Sequence, residues 1–268
     1  MMPIRLGSVS YLNARPLTYG LDRNPRFDVR YDIPAECARL LHARDIDLGL
    51  IPSIEYLRGP RPYSIVLGAG VMSNGAVASV AIFTRKDPRD VRSIAMDSTS
   101  RTSVALATVL MQRVFNARPE PVSMQPDLAR MLDSADAALV IGDYALFVDH
   151  EALGVQKIDL GQLWTEHTGL PFVYAFWAGW PGTLDAEEVA MLQDARDDGA
   201  RHLDEIARAF YPDVPARQQI ASRYLRDNIR YSLSVEGLNA FYRYAAEAGL
   251  VTFDGELRFY DAVDRKPR

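Results

Sequence analysis

Near its start the chain reads Ile4-Arg5-Leu6-Gly7-Ser8-Val9-Ser10-Tyr11-Leu12-Asn13-Ala14-Arg15-Pro16-Leu17. The apolar run at its beginning is typical of a buried strand. A helix is predicted to begin near Asn13 or Ala14, since proline is tolerated in the first turn of a helix. The intervening turn, Ser8–Pro16, combines free backbone N–H groups with short side-chain donors. Taken alone, such a turn is typical of an ordinary helix cap.

Outward from this turn, strands and helices alternate through the first third of the chain. The predicted elements are a strand Phe27–Ile33, a helix Pro34–Ala43, a strand Ile46–Ile51 and a helix Ile54–Leu57, followed by the β-rich runs Tyr63–Ala69 and Ala76–Thr84. Alternation at these lengths predicts right-handed βαβ units and a mostly parallel sheet.

The alternation then restarts with strands of its own. The predicted elements are Ser93–Met96, a helix Arg101–Ala117, Pro121–Met124, a helix Asp127–Ser134, Ala137–Ile141 and a closing strand Pro171–Ala178. Beyond Leu184 the apolar period is helical, and it predicts about three helices, Asp185–Ala209, Ala216–Tyr231 and Val235–Gly249. A second group of strands indicates a second lobe.

Two βα lobes joined by two crossings, near Ala81–Arg85 and near Phe172–Ala178, indicate an α/β, two-lobed periplasmic-binding-protein-like (type II) fold. Its sheets are expected to be mixed and mostly parallel, with a C-terminal helical extension. We predict lobe I from residues 1–83 plus 178–268, lobe II from residues 84–177, and a ligand cleft between them. Such folds bind ligands at helix N-termini beyond the carboxyl ends of strands. A single doubly wound domain is the alternative.

Composition excludes several classes of protein. The 268 residues are 48% hydrophobic and 24% charged, which is ordinary for a folded globular protein. The net charge of −5, without a long basic run, argues against a nucleic-acid partner. A single cysteine, Cys37, and four scattered histidines predict neither a disulfide framework nor a metal site. Neither a leader nor an 18-residue apolar run is seen, so we expect a cytoplasmic protein with no membrane partner.

Polar turns like the first one recur where predicted strands end. The candidate ligand-binding residues are Ser10, Tyr11 and Arg15 in the first turn, Ser53 after the third strand, Ser73, Asn74 and Ser79 near the first crossing, and Ser98, Thr99, Ser100, Arg101 and Thr102 before a long helix. Their convergence predicts an oxygen-rich ligand, and we expect it to be a carboxylate. Arg15 and Arg101 oppose the positive end of a helix dipole. Each is interpreted either as an anion-binding residue or as a salt-bridge residue of the fold.

Two further sites carry titratable side chains. Asp143 follows the strand Ala137–Ile141 and is interpreted as a helix N-cap or a cleft carboxylate, the N-cap being the commoner outcome. Glu166 and His167 precede the second crossing and could titrate in the cleft, with a solvated loop as the alternative. The aromatic residues around the second crossing are interpreted as core packing. The chain has no phosphate-binding P-loop, no GxGxxG after a strand and no GxSxG motif.

Several of these segments occur together in a fixed order. They are Ser10–Leu17, Asp47–Tyr56, Asp97–Ser103, Asp136–Leu146 and Asp159-Leu160-Gly161, with Trp164 and Thr168–Val173 downstream. In this order, over about two thirds of the chain, they resemble the chorismate dehydratase family of the futalosine route to menaquinone. The resemblance implies a cytoplasmic, cofactor-free hydro-lyase that converts chorismate to 3-[(1-carboxyvinyl)oxy]benzoate and water. A homodimer is left open.

Under this resemblance, Asn13 is the first candidate for a residue near the reacting C3–C4 edge of the substrate. Asp143 and His167 are the lesser acid–base candidates. No general base stands out among the side chains, and the substrate's own enolpyruvyl carboxylate is an alternative base. Ser10, Ser53, Ser79, Ser98, Thr99 and Ser100 are the candidate hydrogen-bond donors.

Three rival functions remain. A non-catalytic solute-binding protein would be exported. The sister enzyme 1,4-dihydroxy-6-naphthoate synthase shares the fold, but its N-terminal turn is rich in Pro and Cys, unlike Ser10-Tyr11-Leu12-Asn13. A ligand-sensing regulatory lobe would normally carry a helix-turn-helix domain, and no basic segment here provides one.

Overall fold

A computed structural model describes residues 2–260 of the chain. Its strands are β1 Ile4–Val9, β2 Phe27–Asp32, β3 Leu48–Pro52, β4 Ser64–Ser73, β5 Val80–Thr84, β6 Ser93–Asp97, β7 Glu120–Met124, β8 Ala137–Ile141, β9 Gln156–Asp159 and β10 Phe172–Gly179. Its α-helices are α1 Pro34–His42, α2 Thr102–Phe115, α3 Leu128–Ser134, α4 Gly142–Leu146, α5 Leu160–Thr168, α6 Ala186–Arg201, α7 Leu203–Phe210, α8 Pro215–Asp227 and α9 Val235–Glu247. The 3₁₀ helices are Leu12–Thr18, Leu21–Arg23, Ser53–Tyr56 and Pro88–Asp90.

The first sheet has the strand order β2-β1-β3-β10-β4. Its β1 pairs in parallel with both β2 and β3, whereas β10 runs antiparallel to β3. Every residue of β3 is buried, as expected for a central strand covered on both faces. The sheet therefore brings the carboxyl ends of β1, β2 and β3 to one edge.

The second sheet has the strand order β7-β6-β8-β5-β9. Its β6 pairs in parallel with β7 and β8, and β5 pairs antiparallel with β8 and β9. All residues of β5 and β8 are buried. The prediction of mixed sheets in an α/β protein is confirmed.

The described chain forms two compact units whose boundaries differ from the predicted lobes. The first comprises Met1–Met72, Val173–Leu233 and Asp254–Arg268, described for residues 2–72, 173–233 and 254–260, and the second comprises Ser73–Phe172 and Ser234–Phe253. The predicted lobe I placed residues 73–83 and α9 in the wrong unit, and lobe II wrongly included most of β10. Strand pairing explains the difference, because β5 pairs with β8 while β10 pairs with β3. Residues 1 and 261–268 of predicted lobe I lie outside the described residues.

Two local predictions are also corrected. Residues 165–168 belong to α5 and are not a solvated loop; Asp159 caps this helix at its start, and Gly169 ends it in a left-handed conformation with φ +72°. The helical region beyond Leu184 contains four described helices and not three, because the helix predicted over Asp185–Ala209 is interrupted at His202, between α6 and α7.

The aromatic residues around the predicted second crossing are core residues, as interpreted. Trp164 is fully buried in the second unit against Phe172, with ring centroids 5.2 Å apart, and against Phe241, at 6.1 Å. Phe176 and Trp177 are fully buried in the first unit. No helix within residues 2–260 is both long enough and apolar enough to span a membrane.

Candidate functional site

The first unit gathers polar turns at the carboxyl ends of β1 and β3. The two strands are parallel neighbours, with Leu6 beside Leu48 and Gly7 beside Gly49. The residues that follow each strand, beginning at Ser10 and Ser53, therefore lie at the same edge of the sheet. We call Ser10–Asn13 together with Ser53 the first polar edge. Two of the predicted polar turns are therefore neighbours in this unit, whereas the convergence of all the predicted turns on one ligand stays a prediction.

The segment after β1 continues as a 3₁₀ helix, and no side chain caps it. The residue before the helix, Tyr11, has an extended backbone and makes no side-chain capping bond, so the ordinary N-cap interpretation of this turn is wrong. Asn13 is half-buried in the first turn of the 3₁₀ helix. Within residues 2–260, its side-chain amide has no hydrogen-bond partner. The amide is therefore available to a ligand.

Arg15 is held by aromatic rings and not by a carboxylate. Its guanidinium lies 4.1 Å from the ring centroid of Tyr31 and 5.4 Å from that of Phe210, and Nη2 donates to the carbonyl of Ser10 at 3.4 Å. These rings and Arg15 line a pocket of about 710 Å³. Among the described residues no carboxylate pairs with Arg15, so the salt-bridge alternative is wrong for this residue. Anion binding by Arg15 stays a prediction.

Ser53 is fully buried at the start of the 3₁₀ helix Ser53–Tyr56. Its hydroxyl donates to the carbonyl of Val173 at 2.8 Å, which uses its one proton inside the first unit. In this geometry the Ser53 hydroxyl fixes the turn after β3.

The second unit gathers its polar turns at the carboxyl ends of β6 and β8 and the amino end of β5. Met96 lies beside Leu139, and Val80 lies beside Ile141, so the three strand ends are neighbours. The backbone N–H of Gly142 donates to the carbonyl of Ser79 at 2.8 Å and joins two of these turns directly. We call Ser79, Gly142–Asp143 and Ser98–Thr102 the second polar edge.

The Ser98–Thr102 turn is organised by Asp97, a residue that we did not single out from the sequence. Asp97 is buried, and one of its carboxylate oxygens accepts the backbone N–H of Thr99 at 2.9 Å and the Thr99 hydroxyl at 2.7 Å. An Asp followed two residues later by Thr is a signature of such a turn. Its neighbours differ in exposure: Ser100 and Thr102 are buried, Ser98 and Thr99 are half-buried, and Arg101 is exposed.

Ser98 and Arg101 have separate surroundings in this turn. The hydroxyl of Ser98 accepts a hydrogen bond from the Gln125 side chain at 3.0 Å. Arg101 occupies the N-cap position of α2 without a side-chain capping bond. Among residues 2–260, Arg101 forms no ion pair, so its salt-bridge alternative is wrong there as well.

The last residue of β4, Ser73, and the loop that follows it hold the remaining predicted residues of the second unit. Ser73 is buried and donates to the carbonyl of Gly75 at 3.2 Å, whereas Asn74 is exposed. Ser79 is buried at the end of the loop. Only Ser79 is tied by a backbone hydrogen bond to the Gly142 turn, so it is the best placed of the three.

The two acid–base candidates lie in different places. Asp143 is the second residue of α4 and half-buried, and the N-cap position belongs to Ile141, so the N-cap interpretation is wrong. His167 lies exposed in the last turn of α5, with its ring 6.3 Å from that of Tyr244. At the helical rise, His167 lies about 12 Å along the helix from Asp159. The structure therefore brings Asp143, and not His167, to the second polar edge.

An ionisable cluster around the buried Glu55 and Tyr63 in the first unit also went unnoticed in the sequence. His42 contacts the Tyr63 hydroxyl at 2.5 Å and the Glu55 carboxylate at 3.3 Å, and Arg58 pairs with Glu55 at 3.0 Å. Burial raises the pKa of Tyr63 and also acts to raise that of Glu55, but hydrogen bonds from His42 and Arg58 hold the pKa of Glu55 below its usual value. Tyr63 and Glu55 are buried, His42 is half-buried and Arg58 is exposed. Among the described residues, no group of His, Cys, Asp and Glu could hold a metal ion.

The sequence is similar to known proteins over almost its whole length. A model of the menaquinone biosynthesis family matches residues 4–247. The chorismate dehydratase of Thermus thermophilus is 31% identical over 260 residues, which cover 90% of this chain and 94% of that protein. The chorismate dehydratase of Campylobacter jejuni is 31% identical over 176 residues, covering 63% and 64%.

Solved structures show the same fold at low sequence identity. Protein AF1704 from Archaeoglobus fulgidus superposes with a TM-score of 0.73 at 17% identity, covering 93% of this chain and 99% of that chain. A Candida albicans protein described as having the generic periplasmic binding protein fold gives 0.67 at 12% identity, covering 95% and 92%. The alkanesulfonate-binding protein SsuA from Xanthomonas axonopodis gives 0.65 at 15% identity, covering 94% and 95%. The predicted periplasmic-binding-protein-like fold is confirmed.

Proposed function

The chain belongs to the menaquinone biosynthesis family and to the chorismate dehydratases within it, and on this premise we propose that it eliminates water from chorismate to give 3-[(1-carboxyvinyl)oxy]benzoate. The observation that carries the proposal is the similarity to a chorismate dehydratase over nine tenths of the chain. The proposal makes the protein a carbon–oxygen lyase acting in the cytoplasm. The similarity to solute-binding structures supports only the fold.

The reaction needs charge stabilisation more than it needs a cofactor. The C3–H of chorismate is vinylogous to the ring carboxylate, so removal of this proton gives a delocalised anion. Loss of the C4 hydroxyl then makes the ring aromatic, and the proton and hydroxide together form the water released. An enzyme for this step must hold two carboxylates and stabilise the charge that develops on the ring carboxylate. Neutral hydroxyls, amides and backbone N–H groups suit that task.

We assign these roles to the two polar edges. In the first unit, the turn with Ser10, Tyr11 and Asn13 binds substrate, and Asn13 lies at the reacting C3–C4 edge. The supporting observation is the half-buried Asn13 amide, which has no hydrogen-bond partner within residues 2–260. Arg15 contributes positive charge beside this turn. Ser53 supports the turn after β3 through its bond to Val173.

In the second unit the proposed binding residues are Ser79 and the Ser98–Thr102 turn, with Ser73 at the end of β4 and Asn74 in the loop before β5. Of the acid–base candidates, Asp143 is favoured because the neighbouring Gly142 is hydrogen-bonded to Ser79. His167 is the weaker candidate, since it is exposed at the far end of α5. The base is proposed to be the enolpyruvyl carboxylate of the substrate itself. The ligand cleft between lobes stays a prediction.

Purified protein incubated with chorismate tests the proposal. We expect the aromatic product to appear at a rate proportional to enzyme concentration, measured by absorbance and by chromatography against chorismate alone. Survival of chorismate with only its slow spontaneous decay would overturn the proposed function. Binding without conversion would favour a solute-binding protein. The protein is assayed separately with a cyclic futalosine, and release of dihydroxynaphthoate in that assay would favour the sister synthase.

A further inference from the structure

The loop that enters β5 has a strained backbone immediately before Ser79. The N–H of Ser79 donates to the carbonyl of Val77 at 2.8 Å, which closes a three-residue turn around Ala78. Ala78 has a φ of +64°, in the left-handed region that disfavours any residue with a Cβ. A γ-turn with a left-handed centre is rare and strained. Other contacts must hold this conformation.

The carboxylate of Asp159 provides those contacts. One oxygen accepts the backbone N–H of Val77 at 3.0 Å, and the other accepts that of Ala78 at 2.6 Å. The first oxygen also accepts the N–H groups of Gly161 and Gln162, at 2.9 and 3.0 Å, at the start of α5. A single side chain thus caps a helix and clamps the strained turn, which fixes the turn relative to α5.

The rest of the loop is held from the same side of the sheet. Lys157, two residues before Asp159 on β9, donates from Nζ to the carbonyl of Ala78 at 2.8 Å. Burial lowers the pKa of the Lys157 ammonium. Thr165 of α5 accepts the N–H of Gly75 at 2.9 Å. Ser79, which ends this held segment, is the residue whose carbonyl accepts the N–H of Gly142.

We propose that Asp159 is a positioning residue for the dehydration, because its carboxylate holds the Val77–Ser79 turn that places Ser79 beside Gly142 and Asp143. The inference rests on the proposed function. Asp159 acts through the backbone of the loop and does not itself contact the substrate. A substitution of Asp159 should therefore lower kcat more than its effect on stability would explain.

Asp159→Ser separates the clamp from the helix cap, since a serine hydroxyl still caps α5 but cannot accept from both Val77 and Ala78. We expect kcat for chorismate to fall about 10-fold or more and KM to rise, because the displaced turn moves the binding residue Ser79 and the neighbouring turn that carries Asp143. Asp185→Ser is the matched control: Asp185 caps α6 in the other unit. The kcat of Asp185→Ser should stay at the wild-type value, while its thermal midpoint should fall about as far as that of Asp159→Ser.

A second substitution gives a readout that a merely structural role would not produce. Glycine adopts a φ of +64° without strain. Ala78→Gly should therefore restore part of the kcat in the Asp159→Ser background and leave the wild-type background nearly unchanged. Asp159→Asn, which keeps one accepting oxygen, is the milder variant to use if Asp159→Ser does not fold.

Hydrogen exchange separates failure of this inference from failure of the proposed function. Peptides covering residues 75–79 should exchange faster in Asp159→Ser than in wild type, whatever the substrate. An active wild type whose Asp159→Ser variant exchanges faster but retains full kcat would overturn the inference alone. A loss of kcat matched by Asp185→Ser would also overturn it. A wild type inactive on chorismate would overturn the proposed function and the inference together.

Discussion

The side-chain amide of Asn13 is half-buried but makes no hydrogen bond within the described residues. Asn13 lies beside the end of β1. We therefore predict that Asn13→Ala lowers kcat for chorismate about 10²-fold, the cost of removing one preorganised donor. Its thermal midpoint should stay near that of wild type, because no hydrogen bond within the described protein is lost.

Asn24 supplies the opposite case for comparison. Its amide oxygen accepts the N–H of Arg26 at 2.9 Å, so Asn24→Ala should cost about 1 kcal/mol of stability and leave kcat unchanged. Steady-state kinetics and thermal melts of both variants test the contrast. Near-wild-type activity of Asn13→Ala would remove Asn13 from the mechanism.

The sequence predicted which residues lie in the turns after strands, but not which partners their side chains bind. Ser, Thr and Asn after strands correctly marked the turns, since their short side chains favour such positions. Their partners could not be predicted. Ser53 donates to Val173, which is 120 residues away in the chain, and Asp97 proved to organise the turn that contains Thr99.

At the scale of elements, α6 packs tightly against the 3₁₀ helix that carries Asn13. A Cβ on Gly199 of α6 would lie 2.1 Å from the carbonyl oxygen of Pro16. We predict that Gly199→Ala costs about 1–3 kcal/mol by overpacking and shifts the 3₁₀ helix, which lowers kcat as well. Urea denaturation and initial rates measure the two effects.

The neighbouring Ala200 provides the control in the same helix. Ala200 is exposed, so Ala200→Gly should cost about 1 kcal/mol through helix propensity and leave kcat unchanged. Equal and full activity in both variants would show that the packing of α6 does not position the Asn13 turn.

Strands with a strong apolar run were predicted, and one edge strand without such a run was missed. β3, β5 and β8 are buried along their whole length and were found within a few residues. The edge strand β9 has no fully buried residue and gives no alternating pattern. The break between α6 and α7 escaped notice because the helical apolar period continues across His202.

For the molecule as a whole, Cys37 reports on unfolding. It is fully buried, and burial raises the pKa of its thiol to about 12. We predict that a thiol reagent does not label native protein on the timescale in which it labels urea-unfolded protein, because the thiolate is the reactive form. The measurement is the absorbance change on modification at pH 8, with and without urea.

Ligand binding should slow this labelling further. Chorismate that binds only the native state stabilises it by mass action, so the labelling rate in mild urea should fall as chorismate is added. Rapid labelling of the native protein without urea would contradict the buried position of Cys37. Labelling that does not respond to chorismate would count against binding to the native protein.

The sequence by itself determined the α/β class, the two groups of strands and the polar turns at strand ends, because hydrophobic period and turn chemistry are local properties of the chain. Only the tertiary structure decided which strands share a sheet: β5 joins β8, and β10 joins β3, although the chain order suggested otherwise. It also decided that Asp143 meets Ser79 through Gly142 and that Asp159 clamps the turn before β5. The physical reason is that such pairings join residues about 50 to 130 positions apart, where burial of whole strands, and not local preference, sets the lowest free energy.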